Sequence, residues 1–374
     1  MMQFEKKIKI LLSVSGIGFG GTKQVFLNYV NILEKMGYDL ILLVRKNSAT
    51  HKKLLQEFPH LVNKIIFIKY FRIDLPFFRN IAISEYRKIH TKYKPDIIIC
   101  HKSIDAYFSK ISNIPSKIIC VAHGFLSKKF IYYIAHSDTI ISVSKSVSNY
   151  LKSHLPKNNI VLLYNFISIP SNVAENNNII PTIGTMCVFR RKKNIPMLIK
   201  AAYLLKQRNI KFNLIIAGGG RQRITIFLYI LLYGLSKEVK LKGWVKNKRE
   251  FFSNIDIFAV TSNTESFNVT IIESMSYNVP VISTKCGGPN EIIANENVGL
   301  LSEVGDALKF SYGLEKLICN MELRKNLAVY SKLHVINNYS EKYAIERFKT
   351  ILFFKEKYTL HTKNRKTISP QKHR

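Results

Sequence analysis

Residues 255–285 read IDIFAVTSNTESFNVTIIESMSYNVPVISTK. The stretch opens and closes on short apolar runs, IDIFAVTS (255–262) and VPVISTK (279–285). Between them, ESFNVTIIE (265–273) passes from a loop into the first turns of a helix that ends near Met275. A strand, a helix and a second strand in close succession form the unit of a parallel sheet, because two parallel strands need a crossover to join them.

The same rhythm extends in both directions. Upstream in the same half lie IIPTIGTMCVF (179–189), FNLIIAG (212–218) and VKLKGWV (239–245). In the first half, Ile8, Ile10, Leu12 and Val14 alternate as a first strand would, and Val25, Tyr29, Leu33 and Met36 mark one helix face, with Phe26, Val30 and Ile32 beside them. Then follow YDLILLV (38–44), KIIFI (64–68), PDIIIC (95–100), KIICVA (117–122), DTIISV (138–143) and NIVLLY (159–164). Short runs apolar on both faces, spaced by helix-length segments, predict parallel sheets covered by helices.

A break divides the pattern. SIPSNVAENNNI (168–179) is rich in Pro, Ser and Asn and reads as a linker. The 374 residues agree with two domains at ~150 residues each. The predicted organisation is an α/β domain over 1–167, the linker, a second over 180–339, a terminal helix over 340–358 and a basic tail, 359–374, expected to be disordered. Two doubly wound parallel-sheet (Rossmann-like) domains facing across a cleft make that cleft the expected ligand site.

Lys plus Arg number 57 against 24 Asp plus Glu, a net charge of +33 that predicts an anionic neighbour: nucleic acid, acidic lipid or a phosphorylated substrate. The basic residues are spread along the chain with no recognised nucleic-acid module, so a nucleic-acid-binding protein is the weaker alternative and no specific nucleic acid partner is expected. Cys100, Cys120, Cys187, Cys286 and Cys319 show no metal-ligand spacing and read as reduced, mostly buried thiols of a cytosolic protein. The apolar run near the N-terminus is interrupted by Lys9 and reads as a strand and not a signal peptide. ITIFLYILLYGL (224–235) is shorter than the ~20 residues of a membrane span and reads as a buried helix.

Three motifs carry chemistry. GIGFGG places Gly16, Gly18 and Gly21 in dinucleotide-fingerprint spacing, and Arg45 and Lys46 follow the second strand, so an NADP-dependent oxidoreductase is an alternative reading. Any tight strand-to-helix turn that admits a ligand to backbone amides wants the same glycines. In ESFNVTIIE, Glu265 and Glu273 stand too far apart to act as adjacent acid and base. They suit gripping two ends of one elongated ligand, with the amides of Ser266, Phe267, Asn268 and Val269 at the helix opening for phosphate or sugar oxygens. Hydroxyl pairs at both ends and phosphate between describe a sugar nucleotide. Two surface glutamates beside an ordinary helix remain the alternative. RRKK (190–193), at a strand-to-helix junction, offers cations to a phosphate.

IGTMCVFRRKKNIPMLIKA, LIIAGGG, LKGWV, SNTESFNVTIIESMSYNVPVIST and CGGPNEII occur in order, with GFGG, VAHG (121–124), ISVSKSVSNYL and VLLYNFIS in the first half. In these motifs the chain resembles glycosyltransferase family 4, retaining enzymes of the GT-B fold. The resemblance implies a hexosyltransferase-like enzyme that needs no metal and no cofactor beyond a nucleoside diphosphate sugar donor. It implies an acceptor domain first and a donor domain second. Glu273 would hold the donor ribose. Glu265 and the amides after it would hold the donor sugar. Lys193 would neutralise the diphosphate, with Arg190, Arg191 or Lys192 as the source of a second charge; Gly20 and Gly21 would let the first loop approach diphosphate and acceptor; His123 would contact the sugar. The chain departs at Val188, where many members carry arginine, and at Asn268, where glycine is commoner. The glycines of CGGPNEII are expected to admit the sugar phosphate, and Glu291 to serve the site or cap a helix. A glycan or lipid-linked glycan acceptor, in lipopolysaccharide or capsule synthesis, is expected. So is a cytoplasmic location, peripheral on the anionic inner membrane face. Nucleotide base, sugar, acceptor and linkage are not legible.

Overall fold

A computed structural model describes residues 7–16, 20–68, 76–171, 173 and 178–353. Gly18 and the tail from 359 lie outside the described residues. The apolar runs form strands because both of their faces are covered. The first sheet is built from β1 (Lys9–Val14), β2 (Asp39–Val44), β3 (Ile65–Phe67), β4 (Ile97–Cys100), β5 (Lys117–Ala122), β6 (Thr139–Ser142) and β7 (Ile160–Leu162). Crossovers are α1 (Gly21–Lys35), α2 (Ala49–Glu57), α3 (Pro76–Tyr93), α4 (Ser103–Ile111), α5 (Lys128–Ile134) and α6 (Lys145–His154). The second sheet contains β8 (Thr182–Val188), β9 (Asn213–Gly219), β10 (Val239–Lys242), β11 (Ile257–Val260), β12 (Val281–Thr284) and β13 (Leu300–Ser302). Its helices are α7 (Ile195–Gln207), α8 (Arg223–Leu232), α9 (Lys248–Phe252), α10 (Val269–Ser276) and α11 (Gly288–Ile292), and α12 (Ala307–Cys319), α13 (Met321–Tyr339) and α14 (Glu341–Phe353) close the chain.

Strand orders are β3-β2-β1-β4-β5-β6-β7 and β10-β9-β8-β11-β12-β13, with neighbours parallel throughout. Each order reverses once, between β1 and β4 and between β8 and β11. There the loops after adjacent strands leave in opposite directions and open a crevice at the carboxyl ends. This is the doubly wound α/β architecture expected.

Two elements differ from expectation. β13 has no counterpart among the predicted strands; its three residues, Leu300 and Leu301 half-buried, pair with β12 through Ile282, Ser283 and Thr284. The apolar run 224–235 is helical but not buried: in α8 only Ile226 and Ile230 are covered, and Ile224 and Leu232 are 75% and 76% exposed. A run without polar interruptions looks the same whether one face or both find a partner.

Among the described residues, several contacts join the halves. The carboxylate of Glu291, in α11, accepts hydrogen bonds from the amides of Lys145 (2.6 Å) and Ser146 (2.8 Å) at the start of α6. Tyr164, Phe267 and Tyr339 form an aromatic cluster with ring centroids 5.3–5.9 Å apart. The chain also returns: Ile167 donates to the Tyr339 carbonyl at 2.9 Å, and α14 lies against the first half, with Phe348 edge-on to Tyr29 at 4.9 Å. Glu291 is therefore a helix cap, placed on the other half of the molecule. A carboxylate beside unpaired amides and the positive helix end is worth about 1 kcal/mol. Glu291→Ala is expected to cost about that much stability and to lower the melting temperature, with Glu291→Gln losing less.

Candidate active site

The second crevice is formed by the loop after β8 and the loop after β11. Residues 191–193 make one 3-10 turn, and Asn194 follows in the left-handed conformation at φ +46°. The turn is fastened to the neighbouring loop by the Asn263 amide on the Lys192 carbonyl (2.8 Å) and the Thr261 hydroxyl on the Lys193 carbonyl (3.1 Å). The Lys193 ammonium then donates to Glu265 Oε1, which also accepts from the Ser262 hydroxyl at 3.1 Å. Lys193 and Glu265, given separate tasks in the sequence reading, are thus one ion pair, with side chains only 18% and 10% exposed. Arg190 is exposed and makes no ion pair among the described residues.

Glu265 precedes the helix. α10 begins at Val269, so the amides at its opening are those of Val269 and Thr270, while Ser266 and Phe267 lie in the loop before it. The Phe267 ring is buried at the domain junction. Asn268 sits at φ +83°, which accounts for a glycine preference at this position; asparagine is among the side chains that tolerate it, and here its Oδ1 accepts from the Thr270 hydroxyl at 2.6 Å. Lys193, Ser262, Asn268 and Thr270 line one hollow at the carboxyl ends of β8 and β11.

The glycines nearby serve the chain itself. A Cβ on Gly288 would lie 2.3 Å from the Phe267 Cα, and one on Gly287 2.5 Å from the Glu265 carbonyl oxygen. The glycines of CGGPNEII thus admit the ESFN backbone, which the motif holds in place through the Gly288 amide on the Glu265 carbonyl at 2.9 Å. Gly218 and Gly220 of AGGG have φ +136° and +141° and pack on the Cys187 and Phe189 carbonyls.

Glu273 is on α10 and 7% exposed. Its Oε1 accepts from the Lys248 ammonium at 2.6 Å, and its Oε2 is buried with no hydrogen-bond partner. A buried carboxylate oxygen without a donor costs about 1–3 kcal/mol, so this atom is poised for one. Sequence reasoning missed Lys248, because nothing in the spacing of α9 and α10 announces their contact.

The first crevice holds His123, just after β5, against His101 after β4, with Nδ1 of His101 and Nε2 of His123 3.1 Å apart. Burial pushes the His123 imidazole down to about 3, with the Lys102 ammonium adding to the effect, and His101 is also held well below the usual value, by burial first and then by His123 and Lys102. Both rings are neutral at physiological pH. Lys23, buried in the first turn of α1, donates to the Gly16 carbonyl at 2.7 Å. Cβ positions at Gly20 and Gly21 meet nothing within 4 Å. His101, Lys102 and Lys23 were not singled out from sequence; they meet only through the β1–β4 pairing. The two crevices touch where a Cβ on Gly124, next to His123, would lie 2.6 Å from the Ser266 hydroxyl.

Because folded His123 releases its proton well below the ordinary value of 6.5, the unfolded chain binds more protons between about 6.5 and 3. Stability is therefore expected to fall as pH drops through that window. His123→Gln should flatten the decline in urea unfolding followed against pH.

The sequence pattern described as "Glycosyl transferases group 1" matches residues 166–334, and "Glycosyltransferase Family 4" matches residues 19–169. A lipopolysaccharide core biosynthesis glycosyltransferase of Rhizobium meliloti is 26% identical over 172 residues, 46% of this chain; the chain spans about half the length of that relative, 49%. An amylovoran biosynthesis glycosyltransferase of Erwinia amylovora is 24% identical over 86% of this chain and 93% of its own. Among solved structures, a glycosyltransferase from Rickettsia africae superposes with a TM-score of 0.78 at 20% identity, covering 92% of this chain and 97% of that one. HepE of Anabaena in complex with UDP and glucose gives 0.78 at 16% identity, covering 92% and 99%. Together the two patterns cover both halves of the molecule, and the chain belongs to the group 1 glycosyltransferases of the GT-B fold.

Proposed function

We propose that the enzyme moves a sugar from a nucleoside diphosphate sugar to a hydroxyl of a growing cell-envelope glycan, with retention of configuration and without a metal ion. The observation that carries this reading is the second crevice: a half-buried lysine whose counterion is Glu265, beside the opening of a helix that also carries a carboxylate oxygen lacking a donor. Ribose hydroxyls satisfy Glu273 Oε2. The diphosphate meets Lys193, the amides opening α10 and the exposed Arg190, which supplies charge near Val188. The sugar lies between Glu265 and His123. HepE, whose structure was solved with UDP and glucose, shares the fold and lends support to a nucleotide-sugar donor. The lipopolysaccharide and amylovoran relatives support an envelope glycan, soluble or lipid-linked, as acceptor.

In the reaction, the bond from the anomeric carbon to the leaving phosphate oxygen breaks and a bond to the acceptor oxygen forms on the same face. The acceptor proton passes to the departing phosphate. Charge accumulates on the diphosphate, and Lys193 with the helix-opening amides is preorganised to stabilise it. A neutral His123 serves as a hydrogen-bonding group toward the sugar. As diphosphate binds, it competes with Glu265 for the Lys193 ammonium and frees the carboxylate to accept sugar hydroxyls.

No helix among the described residues is long and apolar enough to cross a membrane. The net charge of +33 supports attachment to the anionic cytoplasmic membrane face, where lipid-linked acceptors are presented.

The deciding experiment is thermal unfolding against UDP, GDP, ADP, NADPH and several sugar nucleotides, since ligand selective for the native state raises the melting temperature. A shift with one nucleoside diphosphate, lost in Glu273→Ala, is expected; a shift with NADPH alone would overturn the reading. Lys193→Ala should lower kcat by about 10²–10³-fold. Glu273→Ala should raise donor KM by about tenfold or more with a smaller change in kcat. Equal loss of both constants in the two variants would separate neither role and would sink the assignment.

A further inference from the structure

α8 carries two apolar stripes. Ile226 and Ile230, at 0% and 4% exposure, hold the helix to the second domain. On the other side, Ile224, Phe227, Leu228, Leu231 and Leu232 are 75%, 50%, 57%, 49% and 76% exposed. Their spacing is i, i+3, i+4, i+7 and i+8, one continuous helix face of ~15 Å length. Scattered apolar side chains on a surface are ordinary, whereas a contiguous stripe of this kind marks an interaction site.

Charge around the stripe points to its occupant. Residues 221–249 contain eight lysines and arginines and one acidic residue, Glu238, which is paired with Lys206 at 2.9 Å. Arg221 and Arg223 stand exposed at the start of the helix, and Lys237 stands exposed just past its end. An apolar face between cations suits the boundary of an anionic bilayer, with side chains entering ~5–10 Å and ammonium and guanidinium groups among the phosphates. A second copy of the chain fits poorly. A face about 15 Å by 10 Å falls far below the ~800 Å² per partner of a stable interface, and two chains of net charge +33 repel.

We propose that the outer face of α8 inserts into the surface of an anionic membrane and anchors the donor domain there. This assigns an apolar contact in addition to general electrostatic attraction, and it is independent of which sugar is transferred. Attachment by charge alone disappears at about 1 M salt, where the Debye length is ~3 Å; insertion of apolar side chains leaves a salt-resistant remainder.

The test is cosedimentation of the full chain with vesicles of phosphatidylcholine containing a quarter phosphatidylglycerol, at low salt and at about 1 M salt. The outer-face variant L228Q/L231Q is compared with V329Q/L333Q on the exposed side of α13, where Val329 and Leu333 are 58% and 51% exposed. Wild type is expected to bind at low salt and to retain a fraction at high salt. L228Q/L231Q should lose about tenfold or more in partitioning with an unchanged melting temperature, and V329Q/L333Q should bind as wild type. The proposal is overturned if wild type ignores the vesicles, if high salt releases all of it, or if both variants lose equally. It is also overturned if sedimentation velocity shows a dimer that L228Q/L231Q splits. None of these readouts uses transferase activity, so a failure here and a failure of the donor assignment are separable.

Discussion

Parallel pairing is the constraint on which the molecule depends. Parallel strands need crossovers, crossovers bring all carboxyl ends to one edge of a sheet, and a single reversal of strand order opens that edge into a crevice. Both sheets obey this, at β1 and β4 and at β8 and β11. Lys193 and Glu265 come from the loops of the second reversal, and His101 from a loop of the first, with His123 after the adjoining β5. The chemistry of the site is thus positioned by backbone topology before any side chain contributes.

Within that frame the second crevice is organised around charge held ready. A half-buried ammonium without a counterion would carry a desolvation cost, and Glu265 offsets that cost in the free enzyme. Its carboxylate is in turn fixed from behind: Gly287 and Gly288 let a second backbone pack on the Glu265–Phe267 segment closer than any side chain allows. Glu273 follows a different logic, with one oxygen paired to Lys248 and the other left without a donor inside the protein. The site is satisfied at Lys193 and Glu265 and leaves one Glu273 oxygen without a donor, the atom to which the proposed donor ribose is assigned.

The fold was largely legible because a doubly buried strand writes itself as a short apolar run. β13 escaped because two half-buried leucines and a serine between Gly299 and a turn carry too little hydrophobic signal. α8 was misjudged because composition reports that side chains are apolar and not what covers them. At the site, Glu265, Glu273, Lys193 and Asn268 were visible as local motifs, and the left-handed backbone of Asn268 is one that both glycine and asparagine adopt. His101 and Lys248 were hidden, since each meets its partner across at least 22 residues of chain, and for Glu291, where capping was one of two readings, the helix it caps lies 146 residues away.

The return of α14 bears on the order in which the protein is completed during synthesis. The first sheet is fully translated once β7 has emerged, yet Tyr29 packs on Phe348, Asn31 donates to Glu341 and Lys117 reaches the Ile351 carbonyl. Domains tend to fold as units as they leave the ribosome. Here the first one must wait through the whole of the second with the Tyr29 face of α1 uncovered, so the last described helix acts as its closing piece. A chain truncated before residue 341 would retain every strand of both sheets and still leave the amino-terminal half unfinished.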